Sequence, residues 1–332
     1  MARDEGGIVP HAIVLREPGG PDSLLWETVA VGDPGHGELV IRHTMIGVNF
    51  HDTYVRSGLY KTLQLPGIPG VEGVGIVEKV GAEVYGFSVG DRVTYIDERY
   101  GAYAQRRRLP ARLAVRVPNM VSDDVAASLT IKGFTACMLV RNVHAVRAGE
   151  VVLIHAAAGG VGQPLVRWAK HLGATVIATV GSDDKMHIAR QCGADHVVHY
   201  GREDFVERVA AITSGAGVNV AYDSVGASTF LGSLKCLAYC GVLVNFGQSS
   251  GPVEPFSPAL LAARSNAVVR PMLFHYIRDR VSLERMAEQV FEAIGAGIIR
   301  KPAIVRLPLA QAAEAHILLE SRKSSGAILL LP

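Results

Sequence analysis

Between Val151 and Leu273, short β-rich runs alternate with stretches of helical periodicity. The runs are "VVLIHA", "ATVIATV", "HVVHY", "VNVAYDSV", "GVLVNFG" and "AVVRPMLF". The first stretch between them, "VGQPLVRWAKHLG", places Val161, Leu165, Trp168, Ala169 and Leu172 on one face at spacings of three and four, and stops at Gly173. Pro164 is tolerated there because it falls in the first turn. The second, "SDDKMHIARQCG", opens at Ser182, a capping residue type, and closes at Gly193. Strands separated by helix-length segments predict a doubly wound parallel sheet.

Upstream of Val151 the pattern changes. "ELVIRHTMIGVNF", "GVEGVGIVEKVG", "GDRVTYI" and "GAYAQ" read as short strands joined by Gly-rich turns, a mostly β domain. Downstream come a helix around residues 282–296, a strand near 303–307, a helix around 309–321 and the closing strand "AILLL". These are expected to return to the first domain. The predicted organisation is α/β with two domains, one formed by residues 1–130 and 274–332 and the other by 131–273. A chain of 332 residues exceeds what one core usually supports, so a cleft for a small molecule between the domains is expected.

Composition narrows the partners. With 49% hydrophobic and 19% charged residues and no charge blocks, the chain is expected to fold throughout. A net charge of +2, from 33 basic and 31 acidic residues, gives no electrostatic reason to expect nucleic acid or an anionic membrane. The basic run Arg106, Arg107 and Arg108 is expected to be a solvated strand edge rather than a phosphate patch. The opening "MARDEGGIVPHAIVL" lacks a targeting pattern, and no apolar run reaches the roughly 18 residues of a membrane span, so the cytoplasm is expected. Cys137, Cys192, Cys236 and Cys240 are too few and too scattered for a disulfide framework; Cys236 and Cys240 are expected one helical turn apart, as small buried residues.

The strongest chemical signal is "HAAAGGVGQ", directly after "VVLI". A Gly-rich turn between a strand and a helix lets the backbone approach a pyrophosphate, which the free N–H groups of the helix N-terminus stabilise. Gly159 and Gly162 meet that need, although Ala157 stands at the first glycine of the usual G-x-G-x-x-G. The following strand ends "ATVGSDDK": Thr179, Val180 and Gly181 offer no carboxylate for an adenosine ribose, whereas Ser182 and Lys185 offer a hydroxyl and a cation to a 2′-phosphate. That predicts NADPH over NADH, by at least about 100-fold if two or three charge-assisted bonds hold the phosphate. The plainer alternative makes Ser182 a cap and Asp183 and Asp184 complements to the helix dipole.

Further segments, "GVNFHDTYVRSGLY", "LPGIPGVEGVGIVEKVG", "GDRV", "GAYA", "VAASLTIKGFTA", "VAYDSVG", "NFGQSSG" and "ESRKSSGAILL", complete a wider pattern. Together with "HAAAGGVGQ" they make the chain resemble the zinc-independent, zeta-crystallin-like quinone oxidoreductases of the medium-chain dehydrogenase/reductase superfamily, from about His11 to Leu331. The resemblance implies a GroES-like catalytic domain and a Rossmann NADP-binding domain. Zinc-dependent members carry a cysteine in the position of Asn49 and a histidine in that of Val71, and both are missing. The four-cysteine structural-zinc lobe is missing too, since no cysteine lies between Gly81 and Val121. His51, Asp52 and Glu72 are expected to serve structure rather than a metal, Asp52 through backbone hydrogen bonds.

The same resemblance implies Asn49 and Tyr54 as catalytic residues near nicotinamide and substrate, and Lys132 near the phosphates or ribose. It implies Ala158, Gly159, Gly160, Val161 and Gly162 around the pyrophosphate, and Ser182, Lys185, Tyr200 and Arg322 around the 2′-phosphate. Phe246, Gly247 and Ser249 follow a later strand, where loops face the cofactor, and are candidates for the nicotinamide side; Asp223 follows another. The implied reaction is quinone reduction by NADPH, with Tyr54 or Asn49 stabilising charge on the quinone oxygen. Reduction of activated alkenes, enones or enals, is the alternative on the same residues. A different class is an NADPH-binding structural or RNA-associated crystallin-like protein; the modest charge argues against RNA as its main partner. A homodimer is expected through the edge strand near 267–273.

Overall fold

The structure, a computed structural model, describes residues 9–332. Residues 1–8, on which part of the targeting expectation rests, lie outside the described residues. In chain order the first elements are β1 (His11–Leu15), β2 (Leu24–Thr28), β3 (Glu38–Val48), α1 (Phe50–Arg56), β4 (Glu72–Val80), β5 (Arg92–Ile96), β6 (Arg106–Pro110), β7 (Ala114–Arg116) and α2 (Asp123–Cys137). Then follow β8 (Val151–Ile154), α3 (Gly162–His171), β9 (Thr175–Val180), α4 (Asp183–Gln191), β10 (His196–His199), α5 (Phe205–Ile212), β11 (Val218–Asp223), α6 (Phe230–Lys235) and β12 (Leu237–Asn245). The last are β13 (Ala267–Val269), α7 (Leu273–Tyr276), α8 (Arg280–Gly295), β14 (Ile304–Pro308), α9 (Ala312–Glu320) and β15 (Ala327–Leu331).

The chain forms two compact units: one runs up to Ile131 and resumes at Ala303–Pro332, the other is Lys132–Pro302. Residues 274–302, expected with the first unit, therefore group with the second. Helix α8 buries Leu283, Met286, Ala287, Val290 and Ala293, and its Gln289 Oε1 accepts a hydrogen bond from Cys137 Sγ at 3.1 Å.

In the first unit a sheet of order β14-β15-β3-β4-β5-β7 carries β6 on β3; only β14 and β15 pair in parallel. Ile13, Leu39, Ile41, Tyr103, Leu109 and Leu330 fill its core. "GAYAQ" forms no strand of its own; Ala104 makes only an isolated bridge to Ala12. The arginines form β6, and Arg107 is not solvated: its side chain is 12% exposed, donates to Asp97 at 2.7 Å and lies over the Tyr95 ring. A buried guanidinium with a buried carboxylate and an aromatic face belongs to the core, not to a protective rim.

The second unit has one parallel sheet of order β10-β9-β8-β11-β12-β13, the Rossmann arrangement. Leu153, Ile177, Val198, Val209, Val218 and Leu243 form a core cluster in it. The chain winds outward from β8 and then from β11, so the strand order reverses between these two, where such sheets bind ligands. The run "AVVRPMLF" supplies only the three-residue edge strand β13, because Pro271 has no N–H to continue a ladder and α7 begins at Leu273. Cys236 ends α6 and is buried, but β12 begins at Leu237, so Cys240 lies exposed on a strand at φ +59° and not one helical turn away.

Candidate active site

In the second unit the turn after β8 closes on its own backbone. Gly159 N–H donates to Ala156 O at 2.9 Å, and Gln163 Nε2 donates to Ala158 O at 2.9 Å. Ala156 takes φ +50°, and a Cβ on Gly162 would overlap the Ala156 carbonyl oxygen and sit 2.7 Å from Ala157 C. Only glycine lets α3 start this close to β8. Within the first turn of that ten-residue helix Gln163 N–H donates to Gly159 O at 3.1 Å and Pro164 has no N–H, so what the helix end offers an anion is chiefly its dipole and the close backbone approach that the glycines allow. Ala158, Gly159, Gly160, Val161 and Gly162 thus share one turn.

At the next strand ends, register brings three of the residues expected at a 2′-phosphate, Ser182, Lys185 and Tyr200, to one edge of the sheet. Val180 is paired with His199, and Tyr200 N–H donates to Val180 O at 3.1 Å. Tyr200 lies over Gly181, where a Cβ would overlap its hydroxyl. Ser182 occupies the N-cap of α4, yet its side chain makes no capping bond, and Lys185 lies in the first turn of that helix. The plainer expectation, that Ser182 spends its hydroxyl on the helix, is not what the structure shows. Arg322 follows α9 in the first unit, with φ +57°, and Lys132 is a buried residue of α2.

The loop after β12 packs on the loop after β11. Phe246 N–H donates to Asp223 O at 2.8 Å, Ser249 N–H donates to Ser224 O at 3.2 Å, and a Cβ on Gly247 would lie 2.6 Å from Ser224 O. Arg270, which sequence reasoning passed over, fastens this loop: its Nη1 donates to Asn245 Oδ1 and to Gly247 O at 3.0 Å. Asp223 is buried and accepts from Val225 N–H, Gly226 N–H and the Thr229 hydroxyl, at 2.7 to 3.0 Å. Ser233 Oγ lies 2.8 Å from Thr229 O, 3.3 Å from Asp223 Oδ2 and 2.9 Å from His155 Nε2. The first two can only accept, so the serine proton goes to one of them and His155 Nε2–H donates to the serine oxygen. His155 Nδ1 then accepts from the Thr179 hydroxyl at 2.8 Å, and burial keeps the ring neutral by lowering its pKa. The network joins the ends of β8, β9 and β11 beneath the turn.

In the first unit Asn49 precedes α1. Its Nδ2 donates to Glu72 Oε1 at 2.9 Å, and the other carboxylate oxygen accepts from Ile131 N–H at 2.8 Å. Glu72 is fully buried and reaches this position because Gly47 leaves room; a Cβ there would overlap Glu72 Oε1. Asp52 Oδ2 accepts from Asn49 N–H at 2.9 Å and from the Tyr103 hydroxyl at 3.1 Å. The Tyr103 hydroxyl takes the Nε2–H of His316 at 3.0 Å, and His316 Nδ1 faces Arg56 Nη1 at 3.3 Å. Arg56 in turn donates twice to Glu320, at 3.0 and 2.8 Å. Burial holds His316 down to about 3 and pushes the Tyr103 hydroxyl well above its usual range, so both stay neutral.

Tyr54 lies on α1 with its ring 5.2 Å from that of Tyr60 and 6.2 Å from that of Phe50. His51 lies 5.4 Å from Tyr60, its Nε2 is 3.2 Å from the Tyr100 hydroxyl, and burial lowers its pKa to about 4. Among the described residues no group of three or more His, Cys, Asp or Glu is placed to hold a metal ion. Glu72 and Asp52 direct their carboxylates to protein donors instead. Glu72, Tyr103 and His316 are the positioning groups that sequence reasoning did not find; a lone acid in "GVEG" and a histidine in a C-terminal helix carry no local signal of a shared task.

Comparison with known proteins extends the pattern over the whole chain. Residues 160–294 match the zinc-binding dehydrogenase family, and residues 35–119 match the alcohol dehydrogenase GroES-like domain. A 2-haloacrylate reductase from a Burkholderia species is 42% identical over 328 residues, covering 97% of this chain and 98% of the relative. A quinone oxidoreductase from Pseudomonas aeruginosa is 42% identical over 315 residues, covering 95% and 97%. The crystal structure of Escherichia coli quinone oxidoreductase complexed with NADPH superposes with TM-score 0.94 at 40% identity, covering 97% of this chain and all of that one. Similarity at this level along both units means that the chain belongs to the quinone oxidoreductase family.

Proposed function

We propose that the chain is an NADPH-dependent, zinc-independent quinone oxidoreductase. The observation that carries this is the full-length similarity to quinone oxidoreductases, one of them solved with NADPH, on a chain whose own turn after β8 suits a pyrophosphate. Ala158, Gly159, Gly160, Val161 and Gly162 hold the pyrophosphate at the start of α3, and Lys132 serves the phosphates or ribose. Ser182, Lys185, Tyr200 and Arg322 receive the 2′-phosphate, while Phe246, Gly247 and Ser249 border the nicotinamide. When bound, NADPH supplies the reducing hydride; the protein supplies orientation and dry surroundings. A quinone is already electrophilic, so its reduction needs hydrogen-bond donors at the oxygen more than a Lewis acid. Tyr54 donates from its hydroxyl, and Asn49, held by Glu72 and Asp52, fixes the ring position. His51 is neutral at pH 7, which removes an imidazolium as proton donor.

Reduction of an activated alkene is the second reading, favoured by the 42% identity to a 2-haloacrylate reductase. The short edge strand β13 is the proposed meeting place of two copies in a homodimer, tested by mass in solution. Among the described residues no helix is long and apolar enough to cross a membrane, and we place the protein in the cytoplasm. The deciding experiment is NADPH and NADH oxidation with ortho- and para-quinones beside 2-haloacrylates, enones and enals. NADPH-selective quinone turnover is expected; alkene-selective turnover would move the assignment to the second reading, and binding without turnover to a binding protein.

A further inference from the structure

The acidic pair after β9 sits uneasily with a site for a 2′-phosphate. Asp183 is the first residue of α4, immediately after Ser182, and an ionised carboxylate there opposes a phosphate dianion at the same helix end. It is also the kind of group that accepts from a ribose hydroxyl and so favours NADH. The structure shows where that charge goes. Arg202 Nη1 and Nη2 donate to Asp183 Oδ1 and Oδ2 at 2.8 and 2.7 Å, a two-point fork. The pairing follows from register: β9 and β10 run side by side, Val180 beside His199, so Asp183 and Arg202 meet three residues beyond. The turn that carries Arg202 is fixed by its own N–H donating to His199 O at 2.9 Å and by Gly201 N–H donating to His199 Nδ1 at 3.2 Å.

We propose that Arg202 is a positioning residue for cofactor selection: by clamping both oxygens of Asp183 it cancels that charge and denies it to a ribose, which leaves Ser182 and Lys185 to a 2′-phosphate. The inference rests on the NADPH assignment above. The fork holds the Asp183 carboxyl below its ordinary range, so the acid is fully ionised at neutral pH and the cancellation is needed throughout. Both side chains are exposed, so the pair matters little to stability.

The test is calorimetric titration of the full chain with 2′,5′-ADP and 5′-AMP, together with KM for NADPH and NADH. Wild type, Arg202→Ala, Arg202→Lys and the double variant Arg202→Ala/Asp183→Asn are compared, with melting temperature as the control for folding. Arg202→Ala should weaken 2′,5′-ADP and raise KM for NADPH about tenfold, as one uncompensated charge would, and leave 5′-AMP and NADH unchanged or improved. The double variant should regain the wild-type preference, and Arg202→Lys should lie between. If the double variant stays as weak as Arg202→Ala, Arg202 touches the phosphate directly and the proposal is wrong. It is also wrong if Arg202→Ala changes nothing while wild type prefers 2′,5′-ADP. A wild type without that preference overturns the NADPH assignment itself, and this proposal with it.

Discussion

The two units hold polar groups still by opposite means. In the second, the turn from Ala156 to Gln163 is fastened by its own backbone and one neighbouring amide. In the first, Asn49 is held by Glu72, 23 residues away, and by Asp52, whose partner Tyr103 is tied to His316, 213 residues further on. A backbone turn is damaged by adding atoms. A relay of side chains is damaged by changing protonation or removing one acceptor.

Acidification should separate the units most. Burial holds His43 and His316 down to about 3 and His51 to about 4, all in the first unit. In the unfolded chain each binds a proton near its ordinary value, so the folded state gains from their neutrality above that value and loses the gain as pH falls toward the folded pKa. Between pH 7 and 5 the loss is about 2 kcal/mol for each histidine, a large share of typical domain stability. In the second unit, among the described residues, His155 is the one histidine held below its usual pKa. Calorimetry at pH 7, 6 and 5 should show the first unit melting earlier as pH falls; transitions that keep their spacing would erase the contrast.

Crowding the backbone turn is the next largest perturbation. Gly162→Val drives side-chain atoms into Ala156 O and Ala157, and should weaken NADPH binding by about 100-fold, or roughly 2.7 kcal/mol. Fluorescence titration measures it, and unchanged affinity would mean that the turn is not the pyrophosphate site. The smallest effect is expected from Glu72→Gln, which keeps one acceptor for Asn49 Nδ2 or Ile131 N–H and opposes the other with an amide. It should cost about 1–2 kcal/mol of stability and about tenfold in kcat. KM for NADPH should stay within about twofold; an equal rise in KM would show that the two sets of residues are not separable in function.

What the sequence disclosed follows the same divide. Gly159, Gly162 and the periodic helix behind them were legible because a tight strand-to-helix turn is a local arrangement of glycine, strand and helix. So was the six-stranded parallel sheet, whose strands announce themselves one at a time. Glu72 drew attention only as a doubtful metal ligand, because its real partners come from the residue that precedes α1 and from α2. The arginines of β6 looked like a solvated rim, since nothing nearby in sequence reveals that Arg107 faces Asp97 and Tyr95. That residues 274–302 group with the second unit is hidden for a related reason: amphipathic periodicity says that α8 buries one face, not whose core it covers.

Gly47 has no side chain with which to touch cofactor or substrate, yet any side chain there would occupy the place of Glu72 Oε1. In a saturation-mutagenesis library, position 47 would therefore score like Asn49 itself. A genetic map of intolerance would draw the boundary of this site around a residue that has no functional group at all.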